Sequence, residues 1–131
     1  PLAGLSVVVD AAHGAASGLA EAVLEALGAR VEAIASDPDG LNINRGCGAT
    51  APQTLAEAVL SRGAHCGLAL DGDADRALVV DERGNVLDGD DILLIWARHL
   101  ERGGRLRGRQ VVATVMNFGR RRMTAPYRMA S

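Results

Sequence analysis

Apolar residues along this chain alternate between short unbroken runs and stripes repeating every four positions. The run in "LSVVVD" (5–10) ends on Asp10 and is followed by "AAHGAASG", which predicts a buried parallel strand and a tight loop. Leu19, Val23 and Leu27 then recur every four residues, with Glu21 and Glu25 off the stripe and Gly28 as a stop. That spacing predicts an amphipathic helix with those three residues as its apolar face. "RVEAIA" (30–35) reads as a second strand, and the Pro-, Gly-, Asn- and Asp-rich "SDPDGLNINRGCG" as a loop. Thr50 and Gln53 have the spacing of a capping box, Pro52 suits a first turn, and Leu55, Val59 and Gly63 complete a second helix. "CGLALD" (66–71) is a third strand, and "ALVVDERGNVL" (77–87) two short strands around a turn at Arg83, Gly84 and Asn85. "DGDDILLIWARHLERGG" predicts a third helix, its acidic first turn and its Arg98 and Arg102 matched to the two ends of the helix dipole. "RQVVATVM" (109–116) is a further strand.

The alternation of strand and helix predicts an α/β fold, a three-layer α/β/α domain with a mostly parallel sheet. The final stretch, "NFGRRRMTAPYRMAS" (117–131), departs from it. It holds the only Phe and the only Tyr and follows neither period. It reads equally as an unstructured terminus or as a segment where the reading frame leaves the natural sequence.

Composition narrows the classes. With 131 residues, 48% of them hydrophobic, there is material for one domain with a real core. A net charge of −2 with both signs spread along the chain predicts neither a nucleic-acid footprint nor a membrane-surface patch, the one basic cluster being Arg120, Arg121 and Arg122. No apolar run approaches the roughly 20 residues needed to span a bilayer. The beginning, "PLAGLSVVVD", lacks the basic region of a signal peptide and lacks an initiator Met, which suggests a piece of a longer protein. Cys47 and Cys66 alone make no disulfide framework and point to a reduced, cytoplasmic setting. Every Lys/Arg position is Arg, which with the abundant Ala and Gly reads as genomic base bias.

The densest chemistry is "LALDGDADRALVV" (68–80). Asp71, Asp73 and Asp75 occupy positions 1, 3 and 5 of a loop that opens directly from a strand, and like charges so close repel unless a cation lies between them. Hard divalent ions such as Mg²⁺ or Ca²⁺ take oxygen ligands of this kind. A calcium loop matches at Asp71, Asp73, Asp75, Leu78 and Glu82, but its sixth position requires Gly where Arg76 stands, and its flanks should be helices. A haloacid-dehalogenase-like phosphatase also ends a strand in D-x-D, but prefers Thr where Asp75 stands.

"LDGDADR" resembles the magnesium loop of the α-D-phosphohexomutases, D-G-D-x-D-R, complete at Asp71, Gly72, Asp73, Asp75 and Arg76. "VVVDAAHGAAS", "PDGLNINRGCGAT" and "LDGDDILLI" are similar to stretches of the bacterial phosphoglucosamine mutase branch of that family, in the same order, over roughly residues 1–116. The resemblance implies that Asp71, Asp73 and Asp75 each give one oxygen to Mg²⁺, with a phosphoserine oxygen completing the set. It implies that Arg76 sits beside the same phosphate, an ion pair with the neighbouring aspartates being the plainer role. The fold would be domain II of four over residues 1–104, with the first strand of domain III at 105–116 and the atypical tail at 117–131. The implied activity is interconversion of glucosamine 6-phosphate and glucosamine 1-phosphate through the phosphoserine and a bisphosphorylated sugar, feeding cell-wall precursor synthesis. None of Ser6, Ser17, Ser36, Ser61 or Ser131 has the family's S-A-S-H-N-P context, so the nucleophile is expected elsewhere in the parent enzyme and this chain alone is expected not to turn over. The implied partners are the remaining mutase domains and a phosphosugar. Phosphomannomutase or phosphoglucomutase specificity, or a non-catalytic divalent-cation-binding or interaction module, are the alternatives.

Other residues carry weaker signals. His13 lies in the first strand-to-helix loop and is expected to make a local hydrogen bond. Asn42, Asn44, Arg45 and Cys47 read as turn formers or as the shape of a domain contact. Cys66 and Trp96 are expected in the core, and Asp88, Asp90 and Asp91 to cap the third helix instead of binding a second metal.

Overall fold

The computed structural model describes residues 1–111 and 128–129. The elements are β1 (Ser6–Asp10), α1 (Leu19–Ala26), β2 (Arg30–Ile34), α2 (Pro52–Arg62), β3 (Cys66–Leu70), β4 (Ala77–Asp81), β5 (Val86–Leu87), α3 (Gly89–Arg102), β6 (Gln110–Val111) and β7 (Arg128–Met129). The first five strands form one sheet in the order β2-β1-β3-β4-β5. β1 pairs in parallel with β2 and with β3, while β4 and β5 extend the sheet as antiparallel neighbours. The α/β class is therefore as expected, and the sheet is mixed: a parallel half built by crossover helices and an antiparallel half built by short loops.

Alternation along β1 sets the layers. Val8 faces Leu55 and Val59 of α2, together with Ala69 and Val80 of the neighbouring strands. Val7 and Val9 point the other way, into a second cluster with Ala29, against which Ala20 and Leu24 of α1 pack. The two helices thus cover opposite faces of the sheet, giving the three layers. Gly67 lies on the α2 face, where an added Cβ would come within 2.7 Å of Val59 and 2.8 Å of Leu55, so the missing side chain lets α2 settle on the sheet.

Three local expectations need correction. The stripe on α1 is one residue out of phase: Leu19, Val23 and Leu27 are 63%, 51% and 40% exposed, and the face toward the sheet carries Ala20 and Leu24 instead. The rotation of the helix is set by contact with strands distant in sequence, which its own period does not encode. The Thr50–Gln53 capping box does not form; Ala51 precedes the helix without a side-chain cap, and the Thr50 hydroxyl donates to the Cys47 carbonyl at 3.1 Å. Pro52 does occupy the first turn, and Gly63 ends the helix in a left-handed conformation. Trp96, expected in the core, is 62% exposed.

The chain divides into two compact units, Pro1–Leu87 and Asp88–Ser131, and α3 lies in the second. There α3 begins with a capping box: Asp88 accepts from the backbone N–H of Asp90 and Asp91, and the Asp91 carboxylate accepts from Asp88 N–H at 3.2 Å. Trp96 lines an open apolar groove of about 250 Å³ with Leu93, Leu100 and Leu106. The strand expected at 109–116 begins as β6, which pairs in parallel with β7. The rest of that strand, and the tail apart from residues 128–129, lie outside the described residues. No helix among the described residues is long and apolar enough to cross a membrane.

Candidate metal centre

β1 lies between β2 and β3, so the chain steps to one side of it through α1 and to the other through α2. The carboxyl ends of β1 and β3 therefore flank the switch point where ligands gather in open α/β sheets. Asp10 ends β1 and Asp71 follows β3 directly.

The loop after β3 is built around Asp71, which is 2% exposed. Its Oδ1 accepts from Arg76 N–H at 3.1 Å and its Oδ2 from Arg76 Nε at 2.7 Å, while its carbonyl accepts from Ala74 N–H at 3.0 Å. These bonds close the loop and let β4 return antiparallel. Asp73 and Asp75 stand exposed beside it, and one oxygen from each of the three carboxylates lies within 4.8 Å of the others. Oxygens on one ion at about 2.0–2.6 Å would lie no further apart than roughly twice that distance, so the set fits a single hard divalent cation. Burial pushes the Asp71 carboxyl up, but the backbone and side-chain bonds from Arg76 outweigh it and hold the group below the ordinary carboxylate range. Asp75 goes the other way, raised by its hydrogen bond to Asp71 and then by the charges of Asp73 and Asp71. Such mutual repulsion is what a bound cation would relieve. The Arg76 guanidinium, bonded to Asp71 and 3.5 Å from Asp75, is held even more firmly in its charged form, with its side chain 74% exposed.

Two further loops meet this one. Asp10 is fully buried and accepts from Ala12 N–H and Gly48 N–H. Gly14 packs on the aspartate loop so closely that a Cβ there would lie 2.3 Å from the Gly72 carbonyl oxygen, which also accepts from Ala15 N–H at 2.8 Å. Ala12, His13, Asn44 and Ala74 all have φ between 48° and 60°. Non-glycine residues rarely adopt this region, and strain of this kind concentrates at functional sites. His13 makes a hydrogen bond, though not a local one: its Nδ1 accepts from Asp37 N–H at 3.2 Å, 24 residues along the chain. Asn42 behaves as a turn former, accepting from Asp39 N–H and donating to the Asp37 carbonyl, and Arg45 donates to the Leu41 carbonyl. Cys47 is buried, its thiol pushed up by burial and then by Asp10. Cys66 is half-buried against the α1-side core, its thiol also raised by burial. The interlocking glycines and the anchoring role of Asp10 were missed in the sequence. The only available signal was small residues recurring after strand ends.

Residues 1–84 match the family model described as phosphoglucomutase/phosphomannomutase, alpha/beta/alpha domain II. The chain belongs to the phosphoglucomutase/phosphomannomutase family. Among the relatives of this family is the phosphoglucosamine mutase of Gluconacetobacter diazotrophicus, 54% identical over 116 residues, which are 88% of this chain and 26% of that protein. The phosphoglucosamine mutase of Rhodococcus erythropolis is 57% identical over 117 residues, 89% of this chain and 26% of that protein. The phosphoglucosamine mutase of an Anaeromyxobacter species is 54% identical over 125 residues, so the likeness to this family reaches beyond residue 116. A solved phosphoglucomutase/phosphomannomutase family protein from Burkholderia thailandensis superposes with a TM-score of 0.68 at 32% identity, covering 82% of this chain and 24% of that one. The chain spans about a quarter of the length of the curated relatives it matches.

Proposed function

We propose that this chain is the cation-holding part of a phosphoglucosamine mutase, with Asp71, Asp73 and Asp75 as ligands to Mg²⁺ and Arg76 as a phosphate-side cation. The observation that carries this reading is one set of three carboxylates converging beside a fixed guanidinium at the switch point of the sheet. When bound, the ion supplies positive charge against which a phosphoryl group is neutralised during transfer. Arg76 is oriented by its bonds to Asp71 and exposes its side chain on the same loop, where it offers a second fixed charge and N–H donors to phosphate oxygens. The buried Asp71 sets the loop and contributes one oxygen, while the exposed Asp73 and Asp75 meet the incoming cation. The domain assignment follows the compact unit: residues 1–87 as domain II, with α3 opening the next domain. The serine nucleophile, the sugar-binding surface and the remaining phosphate contacts belong to the rest of the parent enzyme, whose substrate pair is glucosamine 6-phosphate and glucosamine 1-phosphate in the cytoplasm.

A calcium module loses support because the loop joins antiparallel strands, not helices. The test is a Mg²⁺ and Ca²⁺ titration of the chain and of Asp73→Ala, alongside a mutase assay. Weak Mg²⁺ binding that Asp73→Ala abolishes, with no turnover by the chain alone, is expected, since one proposed ligand is missing. Turnover by this chain that Asp73→Ala abolishes would overturn the claim that the nucleophile lies elsewhere, and much tighter Ca²⁺ than Mg²⁺ binding with a gain of helix would favour the calcium module.

A further inference from the structure

We propose that Asp10 is a positioning residue for the cation site: it touches no ligand itself, but holds the two loops against which the aspartate loop is seated. The inference rests on the reading of Asp71, Asp73 and Asp75 as cation ligands. Asp10 is 0% exposed, and its two oxygens serve different parts of the chain. Oδ1 accepts from Ala12 N–H at 2.9 Å, and Oδ2 from Gly48 N–H at 2.8 Å, 38 residues away. Both partners are donors, so only a carboxylate, which accepts at both oxygens, satisfies them together. An amide in its place would set an N–H₂ against one backbone N–H.

The next contacts lead to the metal loop. The Ala12 carbonyl accepts from Asn44 N–H at 2.9 Å, joining the two loops that Asp10 anchors. Each of those loops then touches Gly72, the residue between Asp71 and Asp73. Ala15 N–H donates to its carbonyl at 2.8 Å, and a Cβ on Gly72 would lie 2.6 Å from Ile43 and 2.8 Å from the Asn44 side chain. Little space remains at this junction, so a shift in either loop is passed to the backbone that carries the carboxylates. The left-handed Ala12, His13 and Asn44 lie on these same two loops. Such conformations persist only where the surroundings over-determine them, and the Asp10 carboxylate is one of the determinants.

The test is Mn²⁺ affinity of the full chain, read from the free-ion EPR signal at a temperature where thermal melts show each variant folded. Asp10→Asn is expected to weaken Mn²⁺ binding about tenfold, as loss of an outer-shell partner does. Gly14→Ala leaves Asp10 and the net charge intact but forces a Cβ against Gly72, and it should weaken binding in the same direction. A residue that only supports folding would move the melting temperature and leave the affinity of the folded chain unchanged. If Asp73→Ala binds Mn²⁺ like the parent chain, the cation reading itself fails. If Asp73→Ala loses binding while Asp10→Asn or Gly14→Ala keeps parental affinity, the positioning role alone is overturned. Weakening by Asp10→Asn without Gly14→Ala would mark a long-range charge effect, and an Asp10→Asn chain that does not fold would mark a residue that holds the fold and not the site; either overturns the proposal.

Discussion

Burying a carboxylate is unfavourable unless donors replace the water it loses, and among the described residues Asp10 and Asp71 are the two carboxylates that lose nearly all of theirs. Each is repaid by backbone N–H groups at the end of a strand, and in Asp71 also by a guanidinium. These residues hold loops whose backbones approach more closely than side chains allow. Gly48 shows the limit: its φ is +67°, and a Cβ would lie 2.5 Å from both the Ala12 Cβ and the Leu70 carbonyl oxygen. Gly48→Ala combines left-handed strain of about 1–2 kcal/mol with overpacking of about 1–3 kcal/mol, so a loss of about 2–5 kcal/mol is expected from urea unfolding. A loss below about 1 kcal/mol would show that the junction yields. A second residue test concerns pH. Asp81 in the β4–β5 turn is held below the ordinary carboxylate range by the side chain and then the backbone of Asn85, and by Arg83 N–H, against the opposing effect of burial. A depressed folded-state value contributes stability above the unfolded value of about 3.9, and that contribution is lost as pH falls through the folded value. The drop in urea midpoint between pH 6 and pH 2.5 should therefore be smaller in Asp81→Asn than in the parent chain; equal drops would refute the turn's role.

At the scale of elements, α1 separates two ideas of what makes a helix face apolar. Leu19, Val23 and Leu27 form the stronger stripe by hydrophobicity, yet Ala20 and Leu24 meet the sheet. Leu24→Ala should cost about 1–3 kcal/mol by lost burial, while Leu19→Ala should stay within about 0.5 kcal/mol. The reverse order in urea midpoints would return the helix to its hydrophobic phase. The helix itself was legible because its period and its stop are local signals. Its rotation was not, because that is set by contact with strands distant in sequence. The Asp88 capping box was readable for the same reason as the period, since donor and acceptor are three residues apart. Thr50 shows how such a signal fails: its hydroxyl found the Cys47 carbonyl first, and α2 began without a cap. The aspartate loop was legible in full, since D-G-D-x-D-R is contiguous. The seat it rests in was not, because Asp10, Gly14 and Gly48 meet it only through the topology β2-β1-β3.

For the whole molecule, the boundary at Leu87 decides what is self-sufficient. The five-stranded sheet, both core clusters, the three aspartates and the loops that seat them all fall within Pro1–Leu87, and the family match ends at residue 84, within the same unit. The resemblance implied domain II over residues 1–104, while α3 lies in the second compact unit; helical signals in α3 are local and say nothing of which core a helix joins. Leu19 on α1 and Leu60 on α2, two helices on opposite faces of the sheet, are 63% and 55% exposed. Removing the second unit takes away none of the packing within the first. A chain ending at Leu87 is therefore expected to unfold in one cooperative transition, with a melting midpoint within about 8 °C of the parent, equivalent to no more than about 1–2 kcal/mol. Its Mn²⁺ affinity should match that of the full chain within about twofold, given that every group assigned to the cation site is retained. Far-UV circular dichroism and the free-Mn²⁺ signal check both halves. A gradual, non-cooperative melt would show that residues beyond Leu87 complete the core, and intact folding with lost Mn²⁺ binding would place part of the site in the second unit.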